Sequence, residues 1–159
     1  MPRKFLDDLT DAERTEFLSY CEKKVFLADQ EIIRKGDTSR DLFLIQTGSA
    51  TASDSWDDDS VPLAIFSEWD VFGEMSFLEG SPRSATVIAG EDSIVYSMSW
   101  EKFNTFLDEK PKITAKLLLR FTEVLIKRLQ FIDEAFTTIA VANRDMKKNM
   151  TEMRKVLKG

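Results

Sequence analysis

The stretch FGEMSFLEGSPRSATVIA, residues 72–89, decides how the rest of the chain is read. Gly73 can take backbone angles closed to other residues and lets a second group approach the main chain closely. Glu74 follows at once, and the apolar pair Phe77 and Leu78, three and four positions on, can seat one helical turn in a core. Such a turn directs free N–H groups toward an anion. Gly80, Ser81 and Pro82 form a turn in which Pro82 holds Ser81 extended. Arg83 then enters the apolar run Ala85 to Ala89, which has the pattern of a buried strand. An arginine at the mouth of such a strand needs an anionic partner. Two partners meet that need: Glu74, in an internal salt bridge that closes the loop, or a bound anion.

A cyclic phosphodiester carries one negative charge and two exocyclic oxygens, which match the fork of a guanidinium. A ribose 2′-hydroxyl donates well to a carboxylate. Glu74 and Arg83 are therefore able to hold the two ends of one ribose-phosphate. The residues Phe72, Gly73, Glu74, Pro82, Arg83, Ser84 and Ala85 closely resemble the phosphate-binding cassette of cyclic nucleotide-binding domains. That cassette runs Phe-Gly-Glu, a few apolar residues, a short turn, then Pro-Arg-(Ala/Ser/Thr)-Ala. The resemblance implies that Arg83 pairs with the cyclic phosphate, assisted by the backbone N–H of Ser84. It further implies that Glu74 accepts the ribose 2′-hydroxyl and that the Gly73 backbone lies against the sugar. Phe72, Met75 and Ala85 complete the implied ligand-binding set. One departure stands just upstream: Ser67-Glu68-Trp69-Asp70 replaces a turn in which the family usually has glycine, so a differently shaped turn is expected.

Composition sets the bounds. A chain of 159 residues with 43% hydrophobic and 31% charged residues is that of one globular domain with a small appendage. A net charge of −6 speaks against general nucleic-acid binding. No apolar run approaches the ~20 residues of a membrane span, and the start, MPRKFLDDL, has no signal-peptide core. Cys21 is the one cysteine, so no internal disulfide forms, and a cytoplasmic location is expected. There is no histidine, which removes histidine acid–base chemistry and histidine metal sites.

Upstream of the cassette, Thr10 and Glu13 form a capping-box pattern that predicts a helix over residues 11–23, with Leu9 stapling its start. The runs VFLADQ, EIIRKGD and DLFLIQTGSA then read as short strands, with turns at Gly36-Asp37 and Gly48. Many short strands at close spacing predict a sandwich or barrel. The acidic stretch SDSWDDDS, residues 53–60, reads as a solvated tip between strands. Its Asp54, Asp57, Asp58 and Asp59 lack the glycine and glutamate of an EF-hand; Trp56 there is free to fold back or to meet a partner. Val61–Phe66 and Ser93–Met98 read as further strands. Ser99 is a candidate N-cap for a helix from Trp100 to Leu107, and Pro111 opens the next helix.

From Pro111 neither glycine nor proline appears until Gly159. The family resemblance places a helix from this region over the base, with Arg128, Phe131 and Ile132 as candidate base contacts. Ordinary core or dimer contacts are the alternative for those three. Leu129, Ile132, Phe136, Ile139, Asn143, Met146, Met150, Met153 and Leu157 alternate in steps of three and four, a heptad seam with Asn143 at an a position. Residues 137–159 carry six Lys/Arg against two Asp/Glu, so this tail is +4 and residues 1–136 are −10. A two-stranded coiled coil is favoured over a membrane-surface helix or a helix seated in a partner's groove.

The expected fold is α+β, mainly β: a β-roll, or double-stranded jelly-roll-like barrel, with an N-terminal helix and C-terminal helices, the last one long. The expected organisation is a cyclic nucleotide-binding domain over 1–135 and a coiled-coil extension over 136–159. The expected function is a non-enzymatic receptor for a cyclic purine mononucleotide, cAMP ahead of cGMP, with no cofactor or metal. It would form a homodimer through residues 129–157 and signal through its C-terminal helix to an effector protein, without nucleic acid or membrane span. The rival expectations are a structural coiled-coil adaptor with a non-binding cassette and, behind it, a phosphodiester-cleaving enzyme built on the acidic tip.

Overall fold

The computed structural model describes residues 3–56 and 59–158. It comprises two compact units, residues 1–121 and 122–159. The elements in chain order are α1 (Asp11–Ser19), β1 (Glu22–Phe26), β2 (Glu31–Ile33), β3 (Asp41–Thr47), β4 (Ala50–Trp56), β5 (Asp59–Phe66), β6 (Val71–Phe72), α2 (Glu74–Glu79), β7 (Thr86–Ala89), β8 (Ser93–Ser99), α3 (Trp100–Glu109) and α4 (Pro111–Lys158).

The strands form two four-stranded antiparallel sheets, β1-β8-β3-β6 and β2-β7-β4-β5. Among the described residues they remain two sheets and do not close into a barrel. Alternation along each strand sends one set of side chains inward. Ile33, Phe43, Ile45, Phe66, Phe72 and Val95 form the core between the sheets. The ring of Phe72 stacks on Phe43 at 5.3 Å and on Phe66 at 5.1 Å. The other face of β3 is also buried, at Leu42 and Leu44, because helices cover it. There an aromatic chain runs from Phe77 to Phe121, on to Phe5, Phe17 and Phe106, and then to Tyr20. The predicted mainly-β architecture with flanking helices is thus observed.

Several predicted ends move. The capping box of Thr10 and Glu13 forms as expected, but α1 stops at Ser19 rather than residue 23. The N–H of Cys21 turns back to the carbonyl of Leu18, and Glu22 to Lys24 pair with Ser97 to Val95. Sheet pairing outcompetes the helical spacing. The acidic stretch is less of a loop than expected: Asp54 and Trp56 belong to β4 and Asp59 to β5, with Asp54 opposite Val61. Lys35 pairs with Asp54 at 2.6 Å and holds its carboxyl below the usual range. Asp57, Asp58 and the side chain of Trp56 lie outside the described residues. Ser99 caps α3 through the N–H of Lys102, and α3 runs on to Glu109 before Pro111 opens α4.

The departing turn at Ser67–Asp70 is built around Trp69, which takes left-handed angles at φ 62°. Asp70 Oδ2 accepts from both the N–H and the hydroxyl of Ser67, each at 2.9 Å, and so stabilises the turn without glycine.

In the second unit α4 presents its seam to solvent: Leu129, Ile132, Phe136, Ile139, Met146, Met150 and Met153 are all exposed. Leu157, the last seam residue, has its side chain outside the described set. Among the described residues no helix is long and apolar enough to cross a membrane.

Candidate functional site

Arg83 lies at the mouth of β7 and is only 3% exposed. Backbone pairing fixes it: its N–H donates to the carbonyl of Asp37 at 2.8 Å, and its carbonyl accepts from Gly36 at 2.9 Å. The turn at Gly36, with φ 87°, thereby locks onto the cassette. The guanidinium is held on three sides. Nη1 donates to the carbonyl of Gly73 at 3.0 Å, Nη2 to the carbonyl of Asp41 at 2.7 Å, and Nε to Ser39 Oγ at 3.3 Å. The internal salt bridge with Glu74 does not supply these bonds: all three acceptors are neutral oxygens. Burial pushes the pKa of Arg83 down, while the charges of Asp41, Asp37 and Glu74 oppose that shift. The group remains a buried cation in a weakly acidic surrounding.

Gly73 and Glu74 start α2. Gly73 takes left-handed angles, φ 76° and ψ 8°, as the N-cap. A Cβ there would stand 2.9 Å from Nη1 of Arg83, so glycine is what lets the arginine reach the main chain. Glu74 is 1% exposed. Ser76 Oγ donates to the carbonyl of Pro82 at 3.3 Å and draws the two ends of the cassette together.

The structure therefore brings Gly73, Glu74 and Arg83 into one place. The other predicted site residues divide. Phe72 has its ring in the core between the sheets, 1% exposed, and anchors the backbone of Gly73 from below. Met75 is exposed. Ser84 is exposed and Ala85 half-buried at the start of β7. Arg128, Phe131 and Ile132 belong to the second unit; Phe131 and Ile132 are exposed there and Arg128 half-buried.

Three residues that hold the site were not singled out from the sequence: Ser39, Arg40 and Asp41. Ser39 and Asp41 bind Arg83 directly. Arg40 donates to the carbonyls of Phe77 and Leu78 at 2.7 and 3.0 Å, at the C-terminal end of α2. The one available signal was a charged Arg-Asp pair placed immediately before an apolar strand.

Comparison with known proteins gives the family. The chain is 31% identical over 102 residues to a cAMP-dependent protein kinase regulatory subunit from Neurospora crassa, a match that covers 64% of this chain and 26% of that protein. It is 29% identical over 133 residues to the cAMP-activated global transcriptional regulator CRP of Salmonella typhimurium, covering 82% of this chain and 61% of that one. The chain thus spans about a quarter of the kinase subunit and under two thirds of CRP. In fold it is similar to the catabolite activator protein of Thermus thermophilus, with a TM-score of 0.75 and 23% identity over 86% of this chain and 62% of that one. Residues 23–110 match the family model described as "Cyclic nucleotide-binding domain". With Gly73, Glu74 and Arg83 assembled inside that span, the chain belongs to the cyclic nucleotide-binding domain family.

Proposed function

We propose that the chain is a receptor for a cyclic purine mononucleotide, cAMP in preference to cGMP, and that it passes the bound state on through its C-terminal helix. The observation that carries this reading is Arg83, a buried cation whose hydrogen-bond partners are neutral oxygens. A buried charge without an ionic partner is costly, and a phosphodiester supplies the missing charge. Nη1 and Nη2 each carry a second N–H beyond those given to Gly73 and Asp41. Those two donors suit the two exocyclic oxygens of a cyclic phosphate, and the exposed Ser84 adds its backbone N–H. Glu74 takes the ribose 2′-hydroxyl, with Met75 and Ala85 beside the sugar and Phe72 supporting from the core. Arg128, Phe131 and Ile132 contact the base.

The preference for cAMP rests on the likeness to a cAMP-dependent kinase regulatory subunit and to the cAMP-activated regulator CRP. Ser84 leaves the base undecided, since a hydroxyl residue at this place accompanies either purine in the resembling cassettes. The seam from Leu129 to Leu157 pairs two copies of the chain into a parallel coiled coil whose register Asn143 fixes. An effector protein reads the resulting change. The chain does no chemistry on the nucleotide and works in the cytoplasm.

Displacement of a fluorescent cyclic nucleotide by cAMP and by cGMP tests this directly. A tenfold preference for cAMP corresponds to about 1.4 kcal/mol, the size of one good hydrogen bond. A strong preference for cGMP overturns the choice of base; absence of binding to either overturns the receptor and leaves the coiled-coil adaptor.

A further inference from the structure

The cassette helix α2 has only six residues, so a clamp at one end sets the position of the other. Its C-terminal end is clamped by a group outside the cassette. Arg40 donates through Nε to the carbonyl of Phe77 and through Nη2 to that of Leu78. These are two of the carbonyls that an α-helix leaves without partners at its C-terminus, where a cation also complements the helix dipole. The guanidinium carbon of Arg40 lies over the ring of Trp100, 3.7 Å from its centre. The backbone N–H of Trp100, the first residue of α3, donates to the carbonyl of Arg40 at 3.1 Å. The ring of Trp100 in turn meets Phe77 edge-on at 5.2 Å. Gly80 ends α2 at φ 80°, and a Cβ there would stand 3.4 Å from Cζ of Arg40. Arg40, from the loop before β3, thus brackets the end of α2 against the start of α3.

The next residue along the chain is Asp41, whose carbonyl accepts from Nη2 of Arg83 at 2.7 Å. Two consecutive residues therefore hold the two halves of the cassette: Asp41 the arginine, Arg40 the helix. We propose that Arg40 is a positioning residue for the ligand site, which with Trp100 fixes α2 so that Gly73 and Glu74 stand at the right distance from Arg83, and which carries any movement of Arg83 into the start of α3. The proposal rests on the nucleotide-receptor reading above. Arg40 immediately precedes β3 and donates to the C-terminal carbonyls of α2, so it acts through the helix it clamps. An anion bound by Arg83 alters its hydrogen bond to the carbonyl of Asp41, the chain neighbour of Arg40, and Trp100, held against Arg40, reports that change.

The test uses the full chain with Trp56→Phe and Trp69→Phe, so that Trp100 is the sole tryptophan. Titration with cAMP and with cGMP is followed both by calorimetry and by Trp100 emission. Arg40→Met keeps an unbranched apolar stem but removes its donors and charge; Arg40→Lys keeps the charge but cannot span two carbonyls and stack. The expected result is a change in Trp100 emission on adding nucleotide to the parent. In Arg40→Met that change disappears and affinity falls about tenfold, through faster dissociation at an unchanged association rate; Arg40→Lys falls between. Trp100→Phe, read by calorimetry alone, loses less because a ring remains under the guanidinium. Should Arg40→Met fail to fold, Arg40→Lys decides the matter on the same readouts and Trp100→Phe by calorimetry. A parent that binds neither nucleotide overturns the receptor reading and the proposal together. A parent that binds, with Arg40→Lys and Arg40→Met equal to it in affinity, dissociation rate and Trp100 response, overturns the proposal alone.

Discussion

Replacing Gly73 by alanine should separate backbone strain from the geometry of the ligand site. Gly73 sits at φ 76°, and an added Cβ would lie 2.9 Å from Nη1 of Arg83, 3.2 Å from the carbonyl oxygen of Asp41 and 3.3 Å from Cδ1 of Ile33. Left-handed angles alone cost a residue with a Cβ about 1–2 kcal/mol. Of the three neighbours, the Asp41 carbonyl belongs to a paired strand and Ile33 to the core; the tip of Arg83 is the part that yields. Its bond to the Gly73 carbonyl is then lost, and a hydrogen bond to a charged group contributes about 1.5–3 kcal/mol. The sum is about 2.5–5 kcal/mol of stability. Gly36→Ala is the matched control, because Gly36 has φ 87° with nothing within 4 Å of the added carbon. It should show the strain alone, about 1–2 kcal/mol.

Urea unfolding gives the two stability losses, and calorimetry with cAMP gives the two affinities. Gly36→Ala should bind within about twofold of the parent, while Gly73→Ala should bind at least about tenfold more weakly, a difference of roughly 1.4 kcal/mol. If Gly73→Ala matches Gly36→Ala in stability and the parent in affinity, then Arg83 is not held in its ligand-ready position by the Gly73 carbonyl.

Arg83→Ala should weaken nucleotide binding by roughly 2–5 kcal/mol, the range for truncating one partner of a buried charge pair, and Glu74→Ala by less, about 1.5–3 kcal/mol for a hydrogen bond to a charged group; calorimetry that finds Arg83→Ala equal to the parent removes the cassette as a site. A chain ending at Glu134 should bind nucleotide yet sediment largely as a monomer, whereas Asn143→Leu should melt higher and populate more than one oligomer. Burial pushes the Cys21 thiol up to about 12, so at pH 8 a thiol reagent should label it slowly in the native protein and quickly in urea. Because the unfolded thiol ionises first, the same shift should lower stability as pH rises from the ordinary thiol range toward 12.

What was legible in the sequence was mostly local. Thr10 and Glu13 stand three residues apart and satisfy each other's backbone groups, so the start of α1 can be read from four residues. Ser99 at the head of α3 and Pro111 at the head of α4 are equally self-contained. The end of α1 is not, because it is set by β1 pairing with β8, more than seventy residues away. β6, Val71–Phe72, is too short to show any period, and its pairing with Phe43 and Leu44 makes it a strand. The acidic residues of β4 and β5 looked like a loop tip because a solvated hairpin and a loop share one composition; only the register of Asp54 on Val61 tells them apart. Trp69 at φ 62° defeats the habit of looking for glycine, since Asp70 and Ser67 supply the turn's hydrogen bonds.

The site was legible for the opposite reason. Gly73 and Arg83 are ten residues apart, and the physical demands on each, a left-handed angle and an anionic partner, can be stated without knowing what surrounds them. What supports them carries no such mark. Asp41 serves Arg83 through its carbonyl, which every residue type possesses, and Arg40 serves α2 across 37 positions of sequence. Main-chain acceptors give no side-chain signature, and a long-range cation looks like any surface arginine until its targets are known. Residues whose own chemistry makes a demand can therefore be read in sequence. Those that aim the contacts are constrained by the fold, and Arg40 emerges only once the C-terminal carbonyls of α2 are asked for their partners.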